Sequence, residues 1–103
     1  MSTPNQIKKR VREFYRADYP DCTDASEFKK DFGLNDLQIE QNNTGLAIEL
    51  GCDPTRSQIM ACKSIGALIT LLIRTRIGTQ GVLYAAAQTS AQYAAFLRTQ
   101  SRR

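Results

Sequence analysis

At 103 residues and 42% hydrophobic composition, the chain is long enough for one domain with a packed core and too short for two. It holds no histidine, which removes the commonest general base and the commonest zinc ligand and argues against a hydrolase or a transition-metal enzyme. The net charge of +4 is unevenly spread: residues 1–16 carry five basic residues against Glu13, residues 17–53 carry nine acids against Lys29 and Lys30, and residues 54–103 carry seven basic residues and no acid.

In chain order, Ser2-Thr3-Pro4-Asn5-Gln6 reads as a helix start. Thr3 suits the cap, Pro4 the first helical position, and Gln6 the capping-box position. Ile7, Val11, Phe14 and Tyr15 follow at helical spacing as one apolar stripe, with Lys8, Lys9, Arg10, Arg12 and Arg16 around the rest. Asp18–Glu27, with Pro20 and four acids, reads as a loop. Phe28, Phe32 and Leu34 are the next core candidates, and Gly33 ends a short turn.

Asn35 or Asp36 caps a second helix, with Gln38 three residues after Asn35. Leu37, Leu46, Ala47 and Leu50 are its expected inward positions. Its middle, Asn42-Asn43-Thr44-Gly45, is poor in helix formers, so packing has to hold it. Gly51–Thr55 is a turn. A short helix is expected near Ser57–Cys62, with Ile59 and Met60 inward. Ser64 caps another helix whose apolar face is Ile65, Leu68, Ile69 and Leu72, with Arg74 and Arg76 at its C-terminal end. Gly78 and Gly81 bracket a linker. The alanine-rich segment Val82–Arg98 lacks Gly and Pro and predicts a helix, before a basic tail. These elements divide the chain into a helical domain over 1–76, a linker over 77–81, and a C-terminal helix and tail over 82–103.

Cys22, Cys52 and Cys62 show no C-x-x-C spacing, and Met1–Arg16 is basic and amphipathic with no secretory signal; reduced thiols in the cytoplasm are the expectation. The longest strongly apolar run, Ile65–Ile73, is too short to cross a bilayer. With no histidine beside the cysteines, no phosphate-cradling glycine loop and no convincing pair of acids, enzymatic function is not expected.

The segment Phe28-Lys29-Lys30-Asp31-Phe32-Gly33-Leu34-Asn35-Asp36-Leu37 resembles the signature region of acyl and peptidyl carrier proteins, F-x-x-D-L-G-x-D-S-L, with Phe28, Asp31, Gly33 and Leu37 in step. Lys63-Ser64-Ile65-Gly66-Ala67-Leu68-Ile69 is similar to the family's K-T-V-G-D-L-V, and Leu46, Leu50 and Pro54 fall where the family has its second helix and following loop. The resemblance runs from about Ile7 to Leu72. It implies an all-α, acyl-carrier-protein-like four-helix bundle with three longer helices and one short one. The alanine-rich helix is then an addition, placed to pack across the bundle or to pair two copies through 82–98.

The resemblance also implies a serine at the start of the second helix that receives phosphopantetheine. This chain has Asp36 there, preceded by Asn35. A carboxylate cannot form the stable phosphodiester that serine forms, so no phosphopantetheine is expected. The function implied is a non-enzymatic interaction or regulatory module linked to acyl, lipid or secondary metabolism, with protein partners that recognise the carrier shape. Asn35, Asp36, Leu37, Gln38, Gln41, Ile59 and Met60 are its expected contact positions. Two alternatives stay open. One is a genuine carrier modified at Ser26, Thr44, Ser57 or Ser64. The other binds nucleic acid or an acidic surface through the basic first helix and Arg98, Arg102 and Arg103.

Overall fold

A computed structural model describes residues 2–77. The expected linker from Gly78 onward, the alanine-rich helix and the basic tail lie outside the described residues. Within them the chain is all-α: four helices and no strand. No described helix is long and apolar enough to cross a membrane.

Each helix begins where the sequence offers a cap. α1 (Pro4–Arg16) starts behind Thr3, whose hydroxyl accepts from Gln6 N–H at 3.1 Å while Thr3 N–H donates to the Gln6 side chain at 2.8 Å. Asn35 and Gln38 make the same reciprocal pair at the start of α2 (Asp36–Leu50). Thr55 and Gln58 make it at α3 (Arg56–Ala61), one residue earlier than the sequence suggests. α4 (Ile65–Arg74) is capped by Ser64. Four such caps satisfy amide N–H groups that helices leave unpaired, and each is worth about 1 kcal/mol. α2 ends at Gly51 in the left-handed conformation (φ 72°), which only glycine adopts without strain.

α1 packs along α4, and α2 against the short α3. The core draws Ile7, Val11 and Tyr15 from α1, Leu46, Ala47 and Leu50 from α2, Ile59 from α3, and Ile65, Leu68, Ile69, Leu71 and Leu72 from α4. Phe28, fully buried in the long α1–α2 connection, stacks near the Tyr15 ring at 5.1 Å. Phe32 lies over Tyr19 with ring centroids 4.0 Å apart. This aromatic cluster seats the acidic connection on α1, helped by the paired Arg12–Asp24 hydrogen bonds of 2.9 and 2.7 Å.

The inward face of α2 differs from expectation. Leu37 is 60% exposed, and Ile39 takes the core position in the first turn of α2. The apolar residues of α2 fall on opposite sides, Ile39, Leu46 and Leu50 on one and Leu37 and Ile48 on the other, so spacing alone does not select the inward face. The weak helix formers in its middle have a use: Asn43 is fully buried and accepts a hydrogen bond from the Tyr15 hydroxyl, joining α1 to α2.

Candidate functional site at the start of the second helix

Gly33, in the left-handed conformation (φ 68°), turns the chain into the cap of α2. Asn35 holds an extended backbone (φ −92°, ψ 173°), and Asp36 is the first helical residue. A carboxylate there faces the positive end of the helix dipole, a favourable placement. Lys29 Nζ stands 2.7 Å from Asp36 Oδ1, both side chains largely exposed. An ion pair so exposed contributes at most about 1 kcal/mol.

The connection and the α3–α4 junction are stitched beside this start. Phe28 N–H donates to Lys63 O at 3.0 Å and Ile65 N–H to Ser26 O at 3.1 Å, forming a single antiparallel bridge between Glu27 and Ser64. The stitch closes a cleft of about 440 Å³. Phe28, Ile39, Met60 and Cys62 form its apolar floor, and Lys29, Lys30, Lys63, Glu27 and Asp36 its rim. Burial pushes the Cys62 thiol up, and its Sγ donates to Gln58 O at 3.4 Å. A thiol held protonated is a packing group, not a nucleophile.

The expected contact positions divide. Asn35, Asp36, Leu37, Gln38 and Gln41 are exposed on the first turns of α2, and Met60 is half-buried at the cleft. Ile59 is 2% exposed, so it belongs to the core and offers a partner no surface. The cleft brings in Lys63, Phe28, Ile39 and Cys62, which the linear pattern does not connect to Asp36. The one visible signal was Lys29-Lys30, the sole cations in the acidic middle.

The hydroxyls expected as alternative attachment positions lie in separate segments. Ser26 Oγ accepts from Thr23 N–H and Ser64 Oγ from Ala67 N–H. Thr44 is half-buried in the third turn of α2, while Ser57 is exposed within the short α3.

The basic face of α1 is partly consumed inside the molecule. Arg10 grips Glu49 with hydrogen bonds of 2.6 and 3.2 Å, and Arg12 is committed to Asp24. Lys8, Lys9 and Arg16 form no salt bridge among the described residues. Arg98, Arg102 and Arg103 lie outside them.

No protein-family model, no curated protein and no solved structure matches the chain.

Proposed function

We propose that this chain is an acyl-carrier-protein-like adaptor that carries no phosphopantetheine and works by binding protein partners. The observation that carries the proposal is Asp36: a carboxylate occupies the first position of α2, behind an Asn35 cap and at the rim of the cleft. A hydroxyl at that place could take a phosphoryl group and present an arm beside the cleft; a carboxylate bound to Lys29 cannot. The helix order supports the same assignment, with three longer helices, a short third one, and a long connection between the first two. The exposed polar start of α2 is the surface a partner would read.

The test is intact mass after incubation with coenzyme A and a broad-specificity phosphopantetheinyl transferase. The natural chain should gain nothing, and Asp36→Ser should gain one phosphopantetheine. Modification of the natural chain would overturn the proposal, and peptide mapping of Ser26, Thr44, Ser57 and Ser64 would locate the arm. If neither protein is modified, the carrier assignment fails at the recognition surface.

A further inference from the structure

The cleft beside Asp36 is built from separate segments whose backbones are fixed to one another. Asp31 N–H donates to Glu27 O at 2.9 Å, Gly33 N–H to Lys29 O at 3.1 Å and Leu34 N–H to Phe28 O at 3.0 Å, so the turn that carries Lys29 and Lys30 is bonded within itself. The bond from Phe28 N–H to Lys63 O joins this turn to the α3–α4 junction. Three lysines from two segments are thereby brought to one rim, together with Asp36 of α2.

The charge of that rim is unbalanced. Lys29, Lys30 and Lys63 stand against Glu27 and Asp36, an excess of one positive charge. Lys29 is taken by Asp36 at 2.7 Å. Lys30 and Lys63 are exposed and form no salt bridge among the described residues. One anionic group held by these two lysines would neutralise the rim. Beneath it the floor is closed: Phe28, Ile39 and Cys62 are only 0%, 4% and 9% exposed. The apolar surface open to a ligand is the half-buried Met60, extended by the aliphatic stems of the lysines.

We propose that the cleft binds a small aromatic anion, its carboxylate or sulfonate held by Lys30 and Lys63 and its ring lying on Met60. The cleft volume of about 440 Å³ falls in the range of small-molecule sites, about 300–1,000 Å³. A shallow, closed floor suits a flat ring and offers no channel along which a long aliphatic chain could be buried. The Met60 thioether makes favourable contacts with aromatic rings, and a lysine ammonium with a ring face. Because the backbone bonds already hold the cleft in shape, little ordering is left to be done on binding. The site needs no prosthetic arm, so it does not rest on the carrier assignment, and the mass experiment above can fail without affecting it.

The test titrates the full, natural chain with 2-naphthoate and follows backbone amide shifts by NMR. Saturable shifts should centre on Lys29, Lys30 and Met60–Lys63. The Lys30→Gln, Lys63→Gln double variant changes only exposed side chains and should keep its helical circular dichroism while binding about fivefold more weakly, as expected for two exposed ion contacts. The neutral analogue 2-naphthalenemethanol should bind the natural chain more weakly by a similar factor. A Lys8→Gln, Lys9→Gln double variant, altered on the basic face of α1, should bind 2-naphthoate as the natural chain does. Absence of saturable shifts up to the solubility of 2-naphthoate would overturn the proposal. So would shifts centred on α1, which would show a general attraction to cations, or equal binding of the acid and the alcohol. Tighter binding of decanoate than of 2-naphthoate would also overturn it, by showing that the floor opens to an aliphatic chain.

Discussion

The Tyr15–Asn43 contact gives the sharpest test of how α1 and α2 are held together. Asn43 is fully buried, its Oδ1 accepts from the Tyr15 hydroxyl, and its Nδ2 has no partner among the described residues. Tyr15→Phe keeps the ring, so its packing against Phe14, Phe28 and Phe32 at 5.0, 5.1 and 5.6 Å survives. It leaves the whole Asn43 amide unpaired, at a cost of about 1–3 kcal/mol. Asn43→Leu strands the Tyr15 hydroxyl at a similar cost. That cost is reduced because the orphan Nδ2 is removed and leucine is the better helix former by about 0.5 kcal/mol. Combining the two changes leaves no buried polar group unpaired. The double variant should therefore recover to about the natural stability, with a coupling energy about equal to the sum of the two single losses. Equilibrium urea unfolding followed by helical circular dichroism measures all four proteins, compared by midpoint at constant m. Strictly additive losses, with coupling below about 0.5 kcal/mol, would refute the hydrogen bond as the link between the helices.

Gly45→Ala should stabilise the fold by about 0.5–1 kcal/mol, because Gly45 lies inside α2 and an added methyl meets nothing within 4 Å. Thermal unfolding reads this as a higher midpoint, and an unchanged or lower one would refute the expected gain. At alkaline pH the fold should weaken. Burial pushes the Cys52 thiol up from 9.0 to about 11 and raises Tyr15 above its ordinary 10.0. Both groups are neutral when protonated, so the unfolded chain loses these protons first. The Cys52 contribution is complete below about pH 9 and is lost between about 9 and 11, at about 1.4 kcal/mol per pH unit. The Tyr15 loss begins near pH 10. Cys52→Ala should flatten the pH 9–11 limb of a stability profile, and an unchanged slope would show that the thiolate is tolerated in the fold. On the acid side, the hydrogen bonds from Arg12 hold Asp24 below the usual carboxylate value, so its contribution is present above about pH 4 and lost as pH falls. Because both side chains are substantially exposed, Asp24→Asn should cost less than about 1 kcal/mol at pH 7 in a chemical melt. A larger loss would mean that this pair, not the aromatic cluster, fixes the connection to α1.

The local features were fixed by sequence-adjacent chemistry. Thr3 with Gln6, Asn35 with Gln38, and Ser64 can be read as caps because each cap satisfies N–H groups within three residues of itself. The inward faces of α1 and α4 follow from a single clean apolar stripe on each, although Leu71 joins the core beside the four expected positions of α4. That a carboxylate, Asp36, opens α2 is likewise a matter of one residue type at one place.

The tertiary structure decided everything that depends on distant residues meeting. α2 has apolar side chains on two opposite sides, so only packing, against α3 above all, could bury Ile39 and leave Leu37 and Ile48 in the open. Asn43 looks like a poor helix former until Tyr15, 28 residues away, reaches it. The cleft exists because Phe28 bonds to Lys63 and Ser26 to Ile65, which places lysines from two separate segments around Asp36. A charge count finds basic arms and an acidic middle. Only the fold shows that Arg10 and Arg12 are committed to that middle, because ion pairing depends on distance in space and not along the chain.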